Sequence, residues 1–171
     1  MNKLCNSLIV LTLLVTANLS FAQQKTKKAL KEARKIEQQQ KTEALMAGEK
    51  FIFEANRAFP MGYSSIDLTT NPNSISFTSA FIKSDMPYFG RATGSIPYGG
   101  ADGGLKFEGI PEEFSIEKGK KNYLLKAKVK DRSDSYVIHL TIFFDGGASL
   151  VITSNNRANI SYNGSILKLE E

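Results

Sequence analysis

The chain has 171 residues, with 22 lysines and arginines against 17 acids, one histidine and one cysteine. A single cysteine excludes an internal disulfide and a cysteine metal cluster, and a single histidine cannot build a zinc site that needs several His or Cys ligands. The surplus charge is uneven: residues 23–50 carry eight Lys/Arg against four Glu, whereas residues 51–171 carry thirteen of each sign. A nucleic-acid-binding domain carries its basic patch on the folded part, so no nucleic-acid partner is expected.

Residues 1–22 have the three-part pattern of a cleaved export signal. Lys3 supplies the positive start, Leu8 to Val15 the short apolar run, and Ser20-Phe21-Ala22 the small residues at the cleavage positions. The run is too short to span a bilayer as a helix, which takes about 20 residues. Cys5 precedes it and so is not placed to carry the lipid of a processed lipoprotein. The expectation is a periplasmic or secreted protein that starts at Gln23. A mature chain of that length suffices for one domain with its own core.

From Gln23 the composition turns to Ala, Lys, Glu and Gln, which favours helix. Residues 23–43 read as a basic polar helical arm, with Lys27, Lys28, Lys31, Arg34 and Lys35 gathered on one face. Such a face usually meets water, so the arm is expected to be a solvated tether with at most weak contact to an anionic membrane surface. Residues 44–171 read as a single β-rich domain with an N-terminal capping helix. Leu45, Phe51, Ile52, Ala55 and Phe59 recur at helical spacing, which predicts that this helix runs to Pro60, with a kink at Gly48.

After Pro60-Met61-Gly62, a turn signal, the period falls to two. Ile66 and Leu68 alternate with polar neighbours, as do Ile75, Phe77 and Phe81, and then Phe114 and Ile116. Tyr123, Leu125, Ala127 and Val129 interleave with Lys126, Lys128 and Lys130, one dry face and one charged. Residues 135–144, SYVIHLTIFF, are apolar on both faces and predict a central strand covered twice. Asp145-Gly146-Gly147 and Asn163-Gly164 read as hairpin turns. About eight short strands joined by tight turns define the expected class: mainly β, a curled antiparallel meander or small barrel with the helix packed on it.

Catalytic patterns are missing. His139 stands alone on an apolar strand, the usual setting of a packed residue, and no G-x-S-x-G elbow positions a nucleophile. Glu112 and Glu113 are adjacent, and on a strand they point to opposite faces. Asp131 and Asp134 fall in a turn, KDRSDS, where Asp and Ser shape backbone. The expectations are no enzyme activity, no catalytic residue, no metal site and no cofactor.

The unusual stretch is Met86 to Gly100, MPYFGRATGSIPYGG. Its glycines match no dinucleotide or P-loop fingerprint, and LKFEG after it reads as strand. It is either a bent piece of sheet, with Gly90 and Gly94 permitting close backbone approach, or a ligand surface. In the second case Tyr88, Phe89, Arg91 and Tyr98 are the candidate binding residues, since amphipathic aromatics beside arginine are common at binding sites.

Four stretches, FIFEANRAFPMG, MPYFGRATGSIPYG, YVIHLTIFFDGGASLVIT and NNRANISYNGSI, together resemble a family of exported Bacteroidota proteins classed as a domain of unknown function. The resemblance spans roughly residues 51–166. It implies periplasmic or secreted residence, one mostly β domain and no assigned activity. Pro87, Tyr88, Phe89, Gly90, Arg91, Arg157, Ser161 and Gly164 match its pattern. The function expected from all this is a non-enzymatic cell-envelope binding module for an apolar or amphipathic small ligand. The alternative is a protein-interaction or structural part of an envelope assembly.

Overall fold

The computed structural model describes residues 27–70, 73–91, 103–131 and 134–169. Residues 27–48 form helix α1. Ten strands follow: β1 (Lys50–Pro60), β2 (Ile66–Asp67), β3 (Ser74–Thr78), β4 (Ile82–Met86), β5 (Leu105–Gly109), β6 (Pro111–Lys118), β7 (Asn122–Lys130), β8 (Ser135–Phe143), β9 (Gly147–Ser154) and β10 (Ile160–Lys168). They make one antiparallel sheet in the order β5-β4-β3-β1-β10-β9-β8-β7-β6, with β2 on β1. Two meanders, β3–β5 and β6–β10, are thus joined through β1, which pairs with both β3 and β10. The sheet curls until it is nearly closed. Phe107 of β5 stacks on Tyr136 of β8 with ring centroids 4.0 Å apart, although the two strands stand far apart in the sheet order. The mainly β, barrel-like expectation therefore holds.

The core is the concave face. β7 shows how it is built: Tyr123, Leu125, Ala127 and Val129 are buried, while Lys126 and Lys130 are exposed. Phe51, Phe53, Phe77, Ile138, Leu140 and Tyr162 fill the interior from other strands. Period-two patterning alone directs these side chains inward.

The helix is shorter than its apolar stripe predicts. It ends at Gly48, Glu49 takes a left-handed φ of 47°, and Lys50 opens β1. Phe51, Phe53 and Ala55 face inward two apart; a register shift between Ala55 and Arg57 then inserts a residue, so that Ala58 and Pro60 resume the inward face. Alternation interrupted by a β-bulge leaves buried Phe51, Ala55 and Ala58 at positions i, i+4 and i+7, which mimics a helical period, while Phe59 of the apparent stripe faces outward. Pairing on both edges decides for strand, because context outweighs propensity in a sheet.

Asn163-Gly164, expected as a turn, lies inside β10. Gly164 pairs with Ala55 at the bulge, where an added Cβ would stand 2.0 Å from the Glu54 carbonyl oxygen. This glycine serves close strand approach and not chain reversal. Asp145-Gly146, by contrast, does turn the chain between β8 and β9, with the Asp145 carboxylate accepting from the Gly147 N–H at 3.1 Å. Phe81, read as an inward strand residue, sits exposed in the β3–β4 turn, where its N–H donates to the Thr78 hydroxyl oxygen at 2.8 Å.

Nor is β8 covered twice. Tyr136, Ile138, Leu140 and Ile142 are buried, but His139 and Phe143 on the other face are exposed. His139 stands between Lys126 and Val151 on the outer surface, not packed in a core. The reason is where the helix docks: it covers an end of the sheet and not its convex face. The chain divides into two compact units between Gln38 and Gln39, so helix residues 39–48 belong with the sheet. Thr42 and Met46 are buried there, and Lys118 of β6 pairs with Glu43 while lying 5.7 Å from the Tyr123 ring centroid. Among the described residues no helix is long and apolar enough to cross a membrane.

Candidate functional site

The other end of the sheet, where β1 and β4 stop and β10 starts, is tied together by two tyrosines and an arginine. Tyr162 points inward from β10, fully buried, and its hydroxyl donates to the Pro87 carbonyl at 2.6 Å. Burial pushes its ionisation well above the ordinary tyrosine value. The chain just after β4 is thereby held against β10. One residue on, the Tyr88 hydroxyl lies 2.8 Å from the Arg91 carbonyl and 3.1 Å from the Ala158 carbonyl. The Ala158 N–H donates to the same Arg91 carbonyl at 3.0 Å. Residues 88–91 form a tight loop around the tyrosine ring, and an added Cβ at Gly90 would stand 2.4 Å from the Tyr88 hydroxyl oxygen. Glycine is what lets this loop close.

Arg157, in the β9–β10 connection, completes the clasp. Its guanidinium carbon lies 5.1 Å from the Tyr88 ring centroid, and Nη1 donates to the Gly103 and Gly104 carbonyls at 2.7 and 2.9 Å. One cation thus covers an aromatic face and fixes the approach to β5. Burial raises the Tyr88 ionisation as well.

Asp134 braces the same end from the β7–β8 turn. Its carboxylate accepts from the Ser135 N–H at 2.8 Å, the Asn155 N–H at 3.1 Å and the Ser154 hydroxyl at 2.6 Å. That is the backbone role expected of this turn. Tyr136 beside it is raised in pKa by burial first, then by the Asp134 charge.

On this framework lies an open groove of about 330 Å³ lined by Pro60, Tyr63, Ile66, Tyr88, Phe89 and Gly90. It shares Tyr63 and Gly90 with a second depression of about 420 Å³, whose remaining walls are Met61, Gly62, Arg91 and Ala158. Met61 and Tyr63 are strongly exposed at the rim. Three of the four candidate residues are therefore brought together: Tyr88 and Phe89 in the groove, Arg91 in the adjoining depression. Tyr98 lies outside the described residues.

Sequence reasoning missed Pro60, Tyr63 and Ile66 as groove walls and Tyr162 and Asp134 as supports. Tyr63 carried a signal in retrospect, an aromatic directly after a Pro-Met-Gly turn. Arg157 was marked only as a residue matching a family pattern. Among the described residues, no three His, Cys, Asp or Glu side chains converge to hold a metal ion. A further hollow of about 570 Å³ on β4–β5 carries Lys83 paired with Glu108 at 3.3 Å and Lys106 with Asp85 at 3.4 Å. Those charges neutralise each other on an exposed face.

The unit from Gln39 onward is thus a nearly closed antiparallel barrel with one end covered by helix residues 39–48 and the other clasped around an apolar groove. Residues 33–166 match the family model of a domain of unknown function, DUF4251, and the chain belongs to that family. It is similar to a crystal structure of a DUF4251 family protein from Bacteroides eggerthii DSM 20697, with a TM-score of 0.61 and 19% identity, over 77% of this chain and 87% of that one. No match is found among curated proteins.

Proposed function

We propose that this protein is an exported, non-enzymatic binding module of the cell envelope, and that the groove between residues 60–66 and 88–91 takes an apolar or amphipathic small ligand. The observation that carries this reading is the pairing of an apolar, solvent-open groove with a clasp that holds its walls in place. Pockets for small molecules are concave, mostly apolar and largely pre-formed, and a wall fixed before binding costs little ordering on association. The N-terminal pattern of Lys3, Leu8 to Val15 and Ser20-Phe21-Ala22 supports export.

A thermal-shift screen against amphiphiles, glycans and short peptides tests the reading. Amphiphiles raise the melting temperature of the native protein; Phe89→Ser, which also removes contact with the core, lowers the unliganded melting temperature and abolishes the rise. Stabilisation by none of the three classes would discard it.

The second reading is a protein-interaction or structural part of an envelope assembly, favoured by exposed Phe59 on β1 and by exposed Met61 and Tyr63 beside the groove. Under it, partners co-purify with the protein and are lost when residues 23–40 are removed. Retention of the same partners by the truncated chain removes the arm from that role.

A further inference from the structure

We infer that the groove is directional and selects an anionic amphiphile with a single aliphatic chain: the tail lies along Pro60, Ile66 and Phe89, and the head group meets Arg91. This inference rests on the binding-module reading and adds the ligand class and its orientation.

The apolar half has little with which to hold a sugar. Its walls are a proline ring, an isoleucine, a phenylalanine, Gly90 and the rings of Tyr63 and Tyr88, and the Tyr88 hydroxyl is already engaged with the Arg91 and Ala158 carbonyls. Of the side chains, that leaves the Tyr63 hydroxyl, so a ligand with many polar groups would exchange most of its bonds to water for apolar contact. A methylene chain loses nothing and gains the apolar contact. The second depression differs in one respect: exposed Arg91 is part of its wall, so its guanidinium is within reach of a head group there. That group has the planar fork of donors that matches a carboxylate or phosphate. Arg157, also at this end, is committed to the Gly103 and Gly104 carbonyls and to the Tyr88 ring. Tyr63 and Gly90 line both depressions, so the two adjoin along that shared wall. Tail and head of one molecule can occupy them together.

Calorimetric titration of the native protein with octanoate, decanoate and dodecanoate, each below its micelle concentration, measures the tail. Affinity rises about fourfold per added methylene, the factor equivalent to ~0.8 kcal/mol per buried CH₂. Decyl phosphate, decyltrimethylammonium and decyl maltoside measure the head. Decanoate and decyl phosphate bind more tightly than the other two, and Arg91→Gln removes that preference with a loss of about two- to fivefold, the scale of an exposed ion pair. Arg91→Lys keeps the sign of the preference. Equal affinity for all four heads would overturn the directional inference while leaving the groove reading intact. Absence of binding by every amphiphile would overturn both. Because Arg91 is exposed, its variants fold, and matching circular dichroism spectra verify this.

Discussion

At one end of the sheet closure is made by a helix, with Thr42 and Met46 buried and a Lys118–Glu43 pair at the rim. At the other, closure is made by side chains reaching backbone carbonyls: Tyr162 to Pro87, Tyr88 to Arg91 and Ala158, and Arg157 to Gly103 and Gly104. The first kind excludes water by apolar contact, with Met46 buried against the sheet. The second uses few, directional bonds, which fix the 88–91 loop beside a groove walled by buried Pro60 and half-buried Ile66 and Phe89. The clasp holds this wall in one place, so the groove exists before anything enters it.

Four perturbations sharpen this contrast. Met46→Ala, at the helix-closed end, removes a buried side chain and costs about 2–5 kcal/mol in urea denaturation. Asp134→Ala, at the clasped end, deletes the acceptor of three hydrogen bonds and costs about 2–3 kcal/mol; equal stability of the variant would remove the turn from the clasp.

Tyr162→Phe strips the donor from the Pro87 carbonyl and costs about 1–2 kcal/mol by thermal or urea melting. It also changes the response to alkali. Tyr162 and Tyr88 have folded-state pKa values raised above the ordinary 10.0, chiefly by burial. Their contribution is therefore intact below about 10 and is lost as the pH rises from there through the raised folded values. Alkaline destabilisation is expected above pH ~10, and Tyr162→Phe makes it shallower. An unchanged alkaline limb in that variant would contradict the assignment.

The smallest effect belongs to Glu43→Gln. Lys118 lowers the Glu43 pKa by hydrogen bonding and charge, so the pair contributes above the ordinary carboxylate value and fades as the pH falls through the lowered one. Both groups are exposed, and the variant is expected to flatten the acid limb of the stability curve slightly while leaving neutral stability near that of the native protein.

What the sequence revealed depended on whether a signal was local. The Tyr123–Val129 alternation with its lysines named β7 and its inward face unaided, and the Asp145-Gly146 turn did the same for the β8–β9 hairpin. Phe51 to Phe59 misled because a bulge is invisible until the pairing partners are known: the extra residue near Asn56 is counted against Gly164 of β10, more than a hundred residues away. Asn163-Gly164 misled for the reciprocal reason, as the glycine answers the backbone of Glu54 and Ala55. The apolar outer face of β8 suggested a second cover, but Val137, Thr141 and Phe143 are tolerated at a surface that β-propensity alone favours. At the candidate site, composition pointed to Tyr88, Phe89 and Arg91. Only folding brought Pro60, Tyr63, Ile66 and Arg157 beside them.

The central claim is that the clasped end receives a ligand and the helix-closed end does not. Backbone amide chemical-shift mapping by ¹⁵N–¹H NMR during titration with decanoate tests it directly. Saturable shifts confined to residues 61–66, 88–91 and 157–158, with residues 42–48 and 118–123 unmoved, are the predicted result. Shifts centred on the helix-closed end, or none at saturating decanoate, would contradict it.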